Sequence, residues 1–238
     1  MNFDGVNDWI NLAAGGTLNC LDGVTAASMM AWLDFDVTNG NTMMAWSITS
    51  GVPTNASRMV MDRDAAGVIL NGARAPDADP LITIADPAGA PPINTEQFVV
   101  IGVNVPGDNG TIYRNGALQL SAAMAFAGAA FSVGVSISAS LMAQDDGASE
   151  WVDGQCEDAR IYQRQLSANE VQTIHACRGH DGIWAGIHHR WPLTTEPPGT
   201  VAAGALTIVD TSDFKRPATA LGGPLYEETR LSYRRRFT

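Results

Sequence analysis

Lysine is almost missing from this chain: 13 of its 14 basic residues are arginine, and Lys215 is the single lysine. Charge of any kind is scarce, at 16% of 238 residues, against roughly 25% in an average domain. The basic residues face 25 acidic ones, a net charge of −11, and this repulsive field argues against nucleic acid as a partner. Cysteine is sparse as well. Cys20, Cys156 and Cys177 are an odd number, too few for a disulfide framework, and read as free thiols in a protein assembled in a cytoplasm. The opening residues, Met1-Asn-Phe-Asp-Gly5, have neither a basic segment nor an apolar core, so no export signal is expected there. Apolar runs are broken by Gly, Ser and Asn well short of the ~18 residues that a membrane helix needs. What is abundant is apolar side chain, 45% of the chain, which excludes wholesale disorder. The length fits one large β domain, or a medium domain with an appendage.

The dominant pattern is short β-prone runs between Gly, Asn, Asp and Pro. In residues 25–36, Met29, Ala31, Leu33 and Phe35 share one face, and Trp32, Asp34 and Asp36 share the other, as in a half-buried antiparallel strand. Comparable runs are Thr42–Ile48, Ser57–Asp62, Val68–Asn71, Leu81–Ile84, Gln97–Val105, Thr111–Arg114 and Phe131–Ser138. Asn115-Gly116 lies between two β-prone arms and has the chemistry of a two-residue hairpin turn. Five prolines between residues 76 and 95 read as a surface excursion. One helix is expected: Ser167-Ala-Asn-Glu170 forms a capping box, Leu166 and Val171 a hydrophobic staple, and Gly179 a stop.

Residues 1–189 carry 20 acids and 7 arginines, whereas residues 190–238 carry 5 acids and 7 bases. Proline keeps this last stretch from forming a long helix, although Gly204–Val209 suits a strand. An acidic body followed by a mildly basic arm is therefore expected, the arm ordered by a surface that repays its entropy.

Two segments carry a family resemblance. Phe3-Asp-Gly-Val-Asn-Asp-Trp-Ile-Asn-Leu12 and Gly154-Gln-Cys-Glu-Asp-Ala-Arg-Ile-Tyr-Gln-Arg-Gln-Leu-Ser-Ala-Asn-Glu-Val171 resemble the opening strand and the closing strand-plus-helix of laminin-G-like, concanavalin A-type jelly rolls. The likeness extends over about residues 1–178, with Cys156 standing where the family usually has isoleucine. It implies an all-β fold: an antiparallel jelly-roll β-sandwich over 1–180, one short helix, and an extended C-terminal arm over 181–238. Within the strand, Asp158 and Arg160 are two apart on one face and suit a structural ion pair.

A fainter likeness lies in His188-His-Arg-Trp-Pro-Leu193 with Asp210-Thr-Ser212. It is similar to a stretch found beside such jelly rolls in bacteriophage and other viral structural proteins. By that analogy the chain is expected to be a non-enzymatic virion protein, a capsid decoration or cement protein assembled in the host cytoplasm and present in many copies or as a homo-oligomer. Its partner would be the major capsid protein or another virion protein, gripped by Arg230, Arg234, Arg235, Arg236 and Trp191. The alternative is a carbohydrate-binding module or a tail or fibre component.

The chemistry of particular residues was weighed beside this. Glycan-hydrolysing jelly rolls set Glu-x-Asp-x-Glu on one strand, so that period two puts all three carboxylates on one face; no such run occurs here. Asp145, Asp146, Glu150 and Asp153 are the best cluster of hard oxygen ligands for calcium, with Asp4, Asp8 and Asp22 as lesser alternatives. His175 and Cys177 diverge on a helix and lack zinc spacing, so His175 is read as a helix-end residue near the dipole's negative end. Trp32 and Asp34 suit either a sheet face that holds a glycan or a surface covered by the arm or a neighbour, and coverage is the favoured reading.

Overall fold

The β-prone runs fold as strands in the computed structural model, which describes residues 1–12, 20–37, 43–50, 58–75, 81–131, 137–144, 150–178, 180–193, 207–213 and 218–225. The first strands are β1 (Asn2–Asp4), β2 (Trp9–Asn11), β3 (Ala26–Phe35), β4 (Met43–Ser50), β5 (Arg58–Arg63), β6 (Ile69–Arg74) and β7 (Ile82–Ala85). Then come β8 (Gln97–Asn104), β9 (Asn109–Arg114), β10 (Ala117–Ala123), β11 (Ile137–Leu141) and β12 (Asp153–Tyr162). Helix α1 (Ala168–Cys177) precedes β13 (Ile187–Trp191), β14 (Thr207–Ile208) and β15 (Ala218–Leu221). All described pairings are antiparallel. One sheet runs β1-β12-β3-β8-β9-β10, with β13 also on β12, and the other runs β14-β15-β2-β11-β4-β5-β6-β7. This is the expected all-β sandwich.

Between the sheets lies a single apolar core, to which β3 contributes Met29, Ala31, Leu33 and Phe35 as its alternation demands. The opposite face of β3 is buried too. Met30 and Trp32 join Phe98, Val100, Tyr113, Tyr162, Leu166 just before the helix, and the helix residues Val171 and Ile174 in a second cluster. A helix laid on the outside of the sheet therefore makes β3 a strand buried on both sides. The helix starts as its sequence dictates: Ser167 Oγ accepts from Glu170 N, and Glu170 Oε2 accepts from Ser167 N at 2.9 Å. It ends at Arg178 in the left-handed region, φ 45°; the expected stop, Gly179, lies outside the described residues. At the β9–β10 hairpin, Asn115 and Gly116 take φ 52° and 81°, the two positive values that a type I′ turn requires.

Beyond residue 180 the described strands, β13, β14 and β15, belong to the sandwich. β3 occupies one edge of β12 from Gly154 to Tyr162. The other edge is shared end to end by β1, on residues 153–155, and β13, on residues 159–162. In the second sheet β15 pairs with β2, and Asn2 exchanges backbone hydrogen bonds with Leu225 at 2.7 and 3.0 Å. β13 thus extends the first sheet, and β14 and β15 extend the second.

Polar side chains fix this segment. Arg160 lies within 2.5 Å of Asp158 and 2.9 Å of Asp181, and Arg190 Nε donates to Asp158 at 2.7 Å. Burial opposes the charge on Arg160, but Asp158 and Asp181 outweigh it and hold the guanidinium protonated. His189 Nδ1 sits 2.7 Å from Asp210 Oδ2. Burial alone would raise Asp210, yet His189, Arg190 N and Ser212 hold it well below the usual carboxylate range. The expected Asp158–Arg160 pair is thus the centre of a larger buried network.

Candidate functional site

The residues expected to face a glycan do not reach solvent. Trp32 is 2% exposed, its ring 4.8 Å from Phe98 and 5.5 Å from His175. The Arg178 guanidinium lies over it at 4.4 Å and is ion-paired to Glu96. Asp34, 3% exposed, lines with Trp32, Glu96, Gln155 and Glu157 a cavity of about 10 Å³, room for one water. Among the described residues, His175 of helix α1 and Arg178, which ends it, cover Trp32, and Trp32 and Asp34, expected to face a glycan, are both buried. His175 at the helix end is pushed below the usual histidine value by burial and by Arg178, so the ring stacks as a neutral one. Trp191, expected to grip a partner, is fully buried in the core and stacked on His189 at 5.0 Å; its apolar area is spent inside its own sandwich. Arg230, Arg234, Arg235 and Arg236 lie outside the described residues, as do Asp145 and Asp146.

Asp153 behaves otherwise. β1 and β12 set Asp4 directly across from Asp153, and the next turn returns Asp8, whose Oδ2 accepts from Asp4 N at 3.1 Å. Asp4 Oδ1 accepts from Val6 N and Asn7 N at 2.9 and 3.2 Å, which shapes that turn. Gly5 makes the approach feasible: at φ 68°, a Cβ there would stand 2.7 Å from Asp153 Cβ. Past the end of β15, Gly222 lies so close that a Cβ would meet Asn7 O at 2.3 Å and Asp8 Oδ1 at 2.5 Å. Asn2, Phe3, Asp4, Asp8, Asp153, Gly222, Gly223 and Leu225 enclose a cleft of about 360 Å³.

The described residues that line the cleft are acidic or uncharged. Burial first, and then the charge of Asp4, raises Asp8 against the hydrogen bond from Asp4 N that lowers it. Burial, then Asp36 and Asp4, raises Asp153. Among the described residues no three His, Cys, Asp or Glu groups are placed to hold a metal ion. Of the expected calcium set, Asp153 stands across from Asp4 and lines the cleft with Asp8, while Asp145 and Asp146 lie outside the described residues. Chemically, the cleft offers carboxylate acceptors, an amide at Asn2 and a half-exposed apolar rim at Leu225, 41% exposed. Sequence reasoning missed Gly222-Gly223-Pro224-Leu225; the doubled glycine was the available signal.

The family described as the concanavalin A-like lectin/glucanases superfamily matches residues 4–172. The chain belongs to this superfamily. No curated protein matches it. Among solved structures, the heptameric SAP-like pentraxin of Limulus polyphemus is similar at TM-score 0.58 and 16% identity, covering 76% of this chain and 82% of that one. The CBM40 of the Ruminococcus gnavus IT-sialidase, solved with α2,3 sialyllactose, gives TM-score 0.58 at 15% identity, over 74% of this chain and 95% of that one. A Bacteroides ovatus protein provisionally described as carbohydrate binding gives TM-score 0.64 at 14% identity, over 96% of this chain and 59% of that one. At such identities the likeness is one of superfamily fold. None of these three is a virion protein, so they lend the bacteriophage expectation no support.

Proposed function

We propose that the chain is a non-enzymatic carbohydrate-binding module that seats a sugar in the cleft of Asp4, Asp8 and Asp153. The observation that carries this reading is the cleft itself, a concavity of about 360 Å³, within the roughly 300–1,000 Å³ usual for small-ligand sites. Among its acceptors Asp8 is buried and Asp153 half-buried, and a carboxylate partly withheld from water hydrogen-bonds sugar hydroxyls more strongly than a solvated one does. The superfamily supports it, as does the fold shared with a sialidase CBM40.

Carboxylates lining the cleft and a net charge of −11 select against anionic sugars, so the ligand is a neutral or amino sugar. Asp153→Asn keeps the shape and one acceptor oxygen but loses the charge, and is expected to weaken binding about tenfold to a hundredfold. Binding also falls as pH drops through the raised values of Asp8 and Asp153, because a protonated carboxyl loses acceptor capacity. A glycan panel read at pH 7 and pH 4 with the parent and Asp153→Asn tests this. Equal binding by both proteins at both pH values contradicts it. The capsid-cement reading rests on the likeness of His188–Leu193 and Asp210–Ser212 to stretches of viral structural proteins, with the arginines at 230–236 as its expected grip, and the similar structures add no support to it.

A further inference from the structure

Among the described residues, the exposed tryptophan lies far from the cleft. Trp184 is 49% exposed, whereas Trp9, Trp32 and Trp191 are buried. It opens a turn closed by Ile187 N donating to Trp184 O at 3.0 Å, with Gly186 at φ 74° in the position that needs a left-handed residue. The turn is anchored from three sides. Gln163 N donates to Gly186 O at 2.8 Å, Arg164 Nε donates to Ala185 O at 2.6 Å, and Tyr162 Oη donates to Ile183 O at 3.1 Å. The Arg190 guanidinium lies over the indole at 5.3 Å, itself fixed by Asp158. One face of the ring is thereby occupied, and the ring is held out on a braced turn.

The surroundings narrow what such a ring would take. Ala185 and Gly186 beside it are small and exposed, so the apolar surface is a single indole rather than the broad patch a protein partner covers. Local charge cancels as well: Arg164 pairs with Glu170, while Arg160 and Arg190 share Asp158 and Asp181. A rigid, solitary indole in a locally neutral setting matches the C–H face of one uncharged pyranose. Tyr162 and Asp153 close opposite ends of β12, about 30 Å apart at the usual strand rise, so a short sugar in the cleft cannot span to this turn.

We infer that Trp184 is a second glycan contact, a stacking platform for a neutral hexopyranose, which gives the chain two sugar sites at opposite ends of the sandwich. This rests on the reading of the chain as glycan-binding. The test is N-bromosuccinimide oxidation of Trp184, read by peptide mass spectrometry with and without neutral gluco-, galacto- and mannotrioses. The parent, Trp184→Ala, Trp184→Phe and the double variant Asp8→Asn/Asp153→Asn are compared, and each protein is titrated with the same sugars. Expected is sugar protection of Trp184 in both the parent and the double variant. Removal of the ring should cost about tenfold or more in affinity at this site, with partial rescue by phenylalanine. Sugar binding that leaves Trp184 unprotected, and that only the double variant loses, overturns the platform while leaving the cleft standing. No binding of any sugar to the parent overturns both.

Discussion

Arg160 is 1% exposed, and the sandwich tolerates so buried a charge because two carboxylates and the Tyr162 hydroxyl surround it. Replacing it with methionine keeps the volume but leaves Asp158 and Asp181 partly unpaired, and is expected to cost about 3–5 kcal/mol in urea unfolding. Asp153 shows the opposite sign. Its carboxyl is raised by burial and by Asp36 and Asp4, so the folded state holds its proton more tightly and stability falls as pH rises through the folded value. Asp153→Asn is therefore expected to stabilise the unliganded protein at pH 7 by a few tenths to about 1 kcal/mol while weakening sugar binding. Thermal unfolding and binding measured on one preparation check both halves. The Asp158–Arg160 pair was legible from spacing alone, since it is local. Trp32 was legible as covered but not by what, because its cover comes from α1, more than 130 residues on, through Arg178 and His175.

Helix α1 is the element whose sequence signal and structure agree most closely, since a capping box needs only residues three apart. Ser167→Ala is expected to cost about 1 kcal/mol and to loosen the cover over Trp32, seen as greater indole quenching by acrylamide. Glu170 belongs to the same cap. Hydrogen bonds from Arg164, foremost, hold it at about 2 against an ordinary 4.5. A lowered carboxylate stabilises above its unfolded value, so the docked helix loses this support as pH falls from 4.5 toward 2. β14 falls within the expected strand Gly204–Val209, and β13 and β15 were the least legible elements. Each is five residues or fewer, amid proline and glycine, and their existence depends on edges of β12 and β2 that local sequence does not display.

At the scale of the molecule, β15 pairs with β2 and Leu225 with Asn2, so the described C-terminal strands meet the N-terminal ones. The N-terminal amino group donates to Cys156 O at 3.0 Å, and Asp158 N donates to Pro192 O at 3.1 Å, so β12 is finished from both ends. A chain ending at residue 180 loses one partner each of β12 and β2 along with Trp191, whose removal alone costs about 3–5 kcal/mol. It is expected to lose cooperative urea unfolding, and a retained sharp transition would contradict the pairing described here. The same closure builds the cleft, because Gly222 and Leu225 reach it only through β15. The fold class was legible because the opening and closing strands carry it. The cleft was only half legible: Asp4, Asp8 and Asp153 were noted as separate acids, and only the β1–β12 register brings them together.

The most direct measurement is heteronuclear NMR of the parent protein titrated with the best-bound neutral oligosaccharide from the panel. The account predicts saturable shifts at the amides of Asp4, Asp8, Asp153, Gly222 and Gly223. Shifts that avoid these residues throughout the titration would contradict the cleft as the binding site.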